Sequence, residues 1–364
     1  HYKSFKEQLD KINISCVLLI GKMKKQKKDT IIKDLKKGLM TVVIGTHALI
    51  QKDVMFKNLG LIIIDEQHRF GVNQRSVLIE KGNNPHVISM TATPIPRTLA
   101  ITYHGDMDIS IIDELPANRV PVVTKIVKPN RMNKVYKFIR DEITKGKQCI
   151  IVYPLVEESE KMDLAAAVEA HIELSSIQFS GLIVGLVHGK MPAEEKDNII
   201  KKFELNQIHI LVSTTVIEVG IDIPNATVML VEHAERFGLT QLHQLRGRVG
   251  RSFKKSYCIL VDRNSSDSSN NRLSIMEKTN DGFVIADEDL KLRGPGEYFG
   301  LKQSGFLKYK IANMVTDSSI IKIARKEAFD LIGEDYNLIE EKNQLLKELF
   351  INQYSKYLDN INLS

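Results

Sequence analysis

The stretch LGLIIIDEQHRFGVNQR, residues 59–75, drives an apolar run, Leu61 to Ile64, straight into two adjacent carboxylates, Asp65 and Glu66, with His68 two residues on. Such a short aliphatic run after a glycine reads as a strand of a parallel sheet, whose strands are buried on both faces. In an open parallel sheet, ligands bind beyond the carboxyl ends of the strands, which is where Asp65 and Glu66 fall. Burying two unpaired carboxylates is costly, so a cation or a chemical task is expected there; taken alone, the pair also fits a plain strand end turning into solvent. Magnesium suits the site because it takes one or two carboxylates together with phosphate oxygens and water. Asp65 would hold Mg²⁺ through water and Glu66 would polarise an attacking water.

Outward from this stretch, further apolar runs alternate with charged, helix-like segments. SCVLLIG (15–21), MTVVIGT (40–46) and HVISMTAT (86–93) read as strands. KMKKQKKDTIIKDLKKG (22–38) is polar with Ile31, Ile32 and Leu35 at helical spacing. Residues 111–121, IIDELPANRVP, carry two prolines and turn residues. The pattern restarts with QCIIVYP (148–154), SGLIVGLVHG (180–189), IHILVSTT (208–215), NATVMLVEH (225–233) and SYCILVD (256–262). The solvated stretch RNSSDSSNN (263–271) marks an exit, after which a glycine-rich segment and helical patterns such as SSIIKIARKEAFDLIG (318–333) follow. The expected class is α/β: two parallel-sheet lobes with sheets covered on both faces, over 1–118 and 119–265, and a small helical module over 266–364.

Composition sets wide bounds. The 364 residues are 43% hydrophobic and 26% charged, with a formal net charge of +6. That mild basic excess permits a nucleic-acid partner without requiring one. Cys16, Cys149 and Cys258 sit in or beside apolar runs without CxxC spacing, which argues against a disulfide framework and a zinc site. The apolar runs are too short to span a bilayer. The first residue is His1 and not methionine, so a piece of a longer chain is expected.

Three more constellations lie at strand ends. SMTATPIPRTLA (89–100) places Thr91 and Thr93, small hydroxyl donors, beside the proposed phosphate site, where they could sense the γ-phosphate. ILVSTTVIEVGIDIPNATVM (210–229) runs into Thr214, Gly220 and Asp222; Thr214 suits a nucleic-acid phosphate and Asp222 a ribose. VIGTHALIQ (43–51) offers Thr46 in a similar setting. LTQLHQLRGRVGRS (239–252) puts Arg248 and Arg251 three apart, on one face if the segment is helical, with Gly247 and Gly250 between and beside them. Glycines cost a helix roughly 1 kcal/mol each, which is tolerable where another surface must come close. Two arginines aimed at one spot suit a transferring phosphoryl group.

In order, spacing and content these segments resemble the helicase superfamily with two RecA-like lobes and a D-E-x-H box. Asp65 to His68 matches its second motif, Thr91 to Thr93 the third, Thr214 to Asp222 the fifth, and Gln244 to Arg251 the sixth. The resemblance implies ATP and Mg²⁺ as cofactors, nucleotide contacts from Gln244, Gly220, Asp222, Thr91 and Thr93, ATP hydrolysis in the cleft between lobes, and a role for His68 in coupling the ATP site to motion. DGFVIADEDLKLRGPGEYFGLKQSG (281–305), read from its residues as a loop of glycines with buried-looking charges, is similar to the translocation motif of the bacterial RecG family and of the transcription–repair coupling factors. Arg293 and Gln303 match its characteristic Arg and Gln, and the family's hairpin and loop turn lobe closure into movement along duplex DNA. His68 and Pro295 stand where a coupling factor usually carries glutamine and alanine, which favours RecG.

What the resemblance implies is the motor portion of an ATP-dependent helicase acting on branched and duplex DNA, including forks and Holliday junctions, in recombination and repair. It also implies a cytoplasmic, nucleoid-associated location, no membrane partner, single-strand-binding protein as a candidate partner, and a monomer. No Gly-x-x-x-x-Gly-Lys-Ser/Thr segment occurs in the sequence. The family carries that phosphate loop, and its wedge domain, upstream of the matching region. The alternatives are therefore a piece that binds DNA without turning ATP over, and a coupling-factor motor that meets RNA polymerase.

Overall fold

The structure is a computed structural model that describes residues 1–66, 70–93, 108–114, 116, 119–154, 160–214, 223–251, 253–264, 267–298, 312 and 317–361. The chain divides into two compact units, His1–Thr93 and Pro94–Ser364.

The first unit holds helix α1 (Tyr2–Asp10), strand β1 (Cys16–Leu19), helix α2 (Lys25–Lys37), strands β2 (Val42–Gly45) and β3 (Leu61–Ile64), helix α3 (Val72–Ile79) and strand β4 (His86–Ser89). β1 pairs in parallel with β2, Cys16 opposite Val42, and β3 pairs in parallel with β4, Leu61 opposite His86. Helix α2 forms because Ile31 and Leu35, one turn apart, bury against Leu19, Ala48 and Val54. It stops at Gly38, whose left-handed backbone (φ 75°) lets its amide reach the carbonyls of Asp34 and Leu35. Contrary to the expectation of sheets covered on both faces, β3 alternates: Ile62 and Ile64 are buried while Leu61 and Ile63 are 51% and 55% exposed.

The second unit is built on a six-stranded parallel sheet. Its strands are β5 (Val123–Val127), β6 (Gln148–Val152), β7 (Val184–Val187), β8 (Ile210–Ser213), β9 (Ala226–Val231) and β10 (Tyr257–Val261), in the spatial order β5-β10-β9-β6-β8-β7. The unit also contains α4 (Met132–Thr144), α5 (Glu160–Glu173), α6 (Ala193–Glu204), α7 (Leu239–Arg246), α8 (Asp267–Lys278), α9 (Gly282–Tyr298), α10 (Ser318–Glu334) and α11 (Gln344–Ile361). Successive residues of a strand point to opposite faces, and β6 feeds two cores. Cys149 and Ile151 pack with Val135, Ile139 and Phe179, while Ile150 and Val152 pack with Phe203, Leu242, Leu245 and Ile285. The sheet is thus covered on both faces. Cys16, Cys149 and Cys258 are buried free thiols, and burial pushes the Cys258 thiol up to about 12.

β5 lies within the expected second lobe but outside the runs read as strands, and it forms because its amides and carbonyls pair with β10, Val123 opposite Tyr257. One expectation fails here. The glycine segment after residue 281 is helical through Tyr298 rather than a loop: Ile285 and Leu290 are buried, and the Thr240 hydroxyl on α7 donates to Asp289 at 3.2 Å. Among the described residues no helix is long and apolar enough to cross a membrane.

Candidate functional site

In the first unit, strand β3 delivers Asp65 and Glu66 to its carboxyl end. Glu66 sits in the left-handed region (φ 51°), a conformation that costs a residue with a side chain roughly 1–2 kcal/mol. Such strain persists where the surroundings hold it, and it clusters at functional sites. Here the Glu66 amide donates to Asp65 Oδ1 at 2.9 Å, His1 Nε2 lies 2.8 Å from Asp65 Oδ2, and the Ala92 amide donates to Glu66 Oε2 at 3.4 Å. That last contact joins the carboxylate to the Thr91–Thr93 loop. The loop is a local turn in which the Thr93 amide donates to Thr91 Oγ1 at 3.1 Å and the Thr91 hydroxyl faces the Thr93 carbonyl at 3.4 Å.

Thr46 is exposed at the end of β2. Its neighbour His47 stacks on Phe70 with ring centroids 5.0 Å apart and planes 12° from parallel. Asp65, Glu66, Thr91 and Thr93 are therefore grouped. The donor set is hard oxygen, and among the described residues no cluster of three His, Cys, Asp or Glu side chains forms a metal cage. That chemistry fits a magnesium ion shared with phosphate oxygens and not a zinc site.

In the second unit, α7 presents Leu239, Leu242 and Leu245 to the core and begins where the Gly238 amide donates to Gln241 Oε1 at 3.1 Å. It ends at Arg246. Arg248 and Arg251 therefore do not share a helix face, contrary to the sequence-based expectation. The reason is Gly250: its backbone is left-handed (φ 75°), and a Cβ there would lie 2.5 Å from Val122 Cγ2, so the chain turns where only glycine fits. Beyond that turn Arg251 is exposed, with its Nε donating to the Gly247 carbonyl at 3.1 Å, whereas Arg248 is half-buried. Gln244 is half-buried on α7.

Thr214, directly after β8, is fully enclosed, and no described residue bonds its hydroxyl. A direct phosphate contact is not open to it in this conformation. His68, Gly220, Asp222 and Gln303 lie outside the described residues. Arg293 lies on the α9 backbone, with its side chain outside them.

Sequence reading passed over Arg246, which is 3% exposed. Its Nη1 donates to the Met276 carbonyl at 3.0 Å, the Thr279 carbonyl at 2.9 Å and Thr124 Oγ1 at 3.3 Å, and its Nη2 to His243 Nδ1 at 2.9 Å. One guanidinium thus ties α7 to β5 and to the end of α8. The signal was available: positions 239, 242 and 246 fall on one helical stripe, so Arg246 is inside. A second missed group is Glu232 at the end of β9, buried and gripped by Arg263 through Nε at 2.9 Å and Nη2 at 3.3 Å. The Arg263 amide also donates to Glu235 Oε2 at 3.1 Å, which fixes the entry to α7.

Burial, then the Arg246 charge, lowers His243 to about 4, so it is neutral at pH 7 and its Nδ1 accepts from Arg246. A histidine whose folded value lies below its unfolded 6.5 contributes stability that is fully present above pH 6.5 and is lost as pH falls towards 4. The second unit should therefore lose on the order of 2–3 kcal/mol between pH 7 and pH 4 through this residue alone. Urea unfolding at both pH values checks this, and His243→Gln should flatten that part of the pH dependence.

Three family models match stretches of the chain. The DEAD/DEAH box helicase family model matches residues 1–101, the helicase conserved C-terminal domain matches 130–253, and the C-terminal part of domain 3 of ATP-dependent DNA helicase RecG matches 279–360. The chain is 50% identical to the ATP-dependent DNA helicase RecG of Aquifex aeolicus, over 99% of this chain and 46% of the relative. It is 48% identical to the protein of that name from Synechocystis, over 98% of this chain and 43% of the relative. A solved structure of RecG bound to a three-way DNA junction superposes with a TM-score of 0.69 at 46% identity, covering 88% of this chain and 41% of that one. The chain spans about half the length of the curated relatives it matches.

Proposed function

The chain belongs to the RecG family of DNA helicases, and on that premise we propose that it is the motor portion of an ATP-dependent translocase that remodels branched DNA, namely stalled forks and Holliday junctions. The observation that carries this reading is the strained Glu66 at the end of a parallel strand, joined through the Ala92 amide to the Thr91–Thr93 loop. That is a catalytic carboxylate linked to a loop able to respond to a phosphate. Asp65 is the residue that would hold Mg²⁺, through water. When bound, the ion would neutralise charge on the phosphate oxygens. Glu66 would orient the attacking water and take its proton at Oε1 or Oε2. Arg248 and Arg251 would supply guanidinium charge for the transition state.

The partner is duplex and branched DNA held by its phosphates, with little sequence preference. Single-strand-binding protein is a candidate partner and the working state is a monomer. A second reading rests on the absence of a Gly-x-x-x-x-Gly-Lys-Ser/Thr segment from these 364 residues: on their own they would bind DNA without turnover.

The test is ATP turnover by a longer protein that carries these residues together with a phosphate loop, with and without a synthetic fork. Fork stimulation of at least about tenfold is expected. Turnover indifferent to DNA, or duplex affinity that does not fall between 50 and 200 mM salt, would sink the reading.

A further inference from the structure

We infer that the outer face of helix α2 is a second, sequence-independent contact surface for the phosphate backbone of duplex DNA, separate from the residues grouped around Asp65. Between residues 22 and 37 the chain places eight lysines against two aspartates, a surplus of six positive charges. That surplus equals the formal net charge of the whole chain, so the remaining 348 residues balance to zero.

The structure displays this charge rather than neutralising it. On α2, Lys25, Lys27, Lys33, Lys36 and Lys37 are all exposed, and none of their ammonium groups has an ion pair or hydrogen bond among the described residues. Lys28 alone is tied down, to Gln51 and to Asp53 at 3.8 Å. Lys33 and Lys37 lie one turn apart, a like-charge spacing that works against the helix itself. The helix is held instead by Ile31 and Leu35 in the core of the first unit.

The same features select the partner. The apolar side of α2 is already spent on that core, so the helix has no face left to enter a bilayer. No aromatic residue occurs between 22 and 37, so there is no platform on which the bases of a single strand could stack. What is left is point charge along a rod of about 20 Å, the reach of roughly six phosphates of one duplex strand. Lysine suits such a task, since it meets phosphate as a compact charge without reading sequence. This inference rests on the DNA-motor reading above.

The experiment measures affinity for a blunt 30-base-pair duplex against salt, using the full 364-residue chain and its Lys25→Gln/Lys33→Gln/Lys37→Gln variant. The variant should bind at least about tenfold more weakly at 50 mM salt, with the slope of log K against log salt reduced by about two to three. The matching Lys→Arg triple should bind like the parent. Equal melting curves will show that all three chains fold alike. Affinity and slope unchanged in the glutamine variant, with the parent binding well, would overturn the surface and leave the motor reading standing. A parent that does not bind duplex in a salt-dependent way would overturn both. Parent binding to anionic phosphatidylserine vesicles as tight as to duplex, lost equally in the variant, would overturn the choice of partner.

Discussion

Glu66→Gln should lower ATP turnover by about 10²–10³-fold in a protein that carries its phosphate loop, while leaving nucleotide and duplex affinity within about threefold. The amide of glutamine is nearly isosteric with the carboxylate, and its oxygen can still accept from the Ala92 amide, so the link to the Thr91–Thr93 loop survives. What is lost is the negative charge that polarises water and the base that takes its proton. Single-turnover chemistry with bound nucleotide isolates that step. If Glu66→Gln instead raised the nucleotide Kd and left the chemical step intact, Glu66 would be a binding residue and the assignment of roles at this strand end would have to be redrawn.

Arg246→Ala should cost the second unit on the order of 3–5 kcal/mol, through lost charge-assisted hydrogen bonds and the space left by a buried side chain. The carbonyls of Met276 and Thr279 and the Thr124 hydroxyl would all lose their shared donor. Arg246→Lys should recover only part of this, because an ammonium cannot fan out to the same acceptors. His243 would also change, since the Arg246 charge helps keep it neutral, and its titration should move up towards the ordinary range. Denaturant unfolding monitored by circular dichroism reads the stability, and histidine NMR reads the titration. Loss below about 1 kcal/mol would mean that the guanidinium bonds contribute little net stability.

The contrast between Arg246 and its neighbours shows where sequence reading succeeds and where it stops. Continuous apolar runs identify β6, β8, β9 and β10 because strands buried on both faces carry few polar residues, and those they do carry, Gln148, Ser213 and Thr227, are enclosed. Val123–Val127 is a strand of the same sheet but lies at its edge, with Lys125 exposed in the middle, and so carries no continuous run. The pairing of Asp65 and Glu66 with a strand end is visible in the sequence, because the run stops at the charge. The left-handed backbone of Glu66 is not, because it depends on partners brought in from residue 92. The spacing of Arg248 and Arg251 suggests a shared helix face, but spacing says nothing of where the helix ends. Gly250 does, once Val122 is known to stand 2.5 Å from its absent Cβ. Similarly, the glycines near residue 294 suggest a loop, yet the buried contacts of Ile285 and Leu290 start a helix that carries through them.

The strand order of the second unit also sets a timetable for its assembly on the ribosome. β5, the first strand of that sheet to be made, pairs only with β10, the last, so residue 123 must wait for residue 257 before its ladder can form. Meanwhile β6, β7, β8 and β9 can associate without β5 or β10, with β8 joining β7 to β6 and β9 pairing on the other side of β6. Closing so long a loop comes at an entropic cost that local pairings do not carry, and folding dominated by distant contacts is slow. Until Tyr257 emerges, the edge of β9 that β10 will cover stays open to other strands, which makes that interval the point at which a nascent chain is most exposed to mispairing.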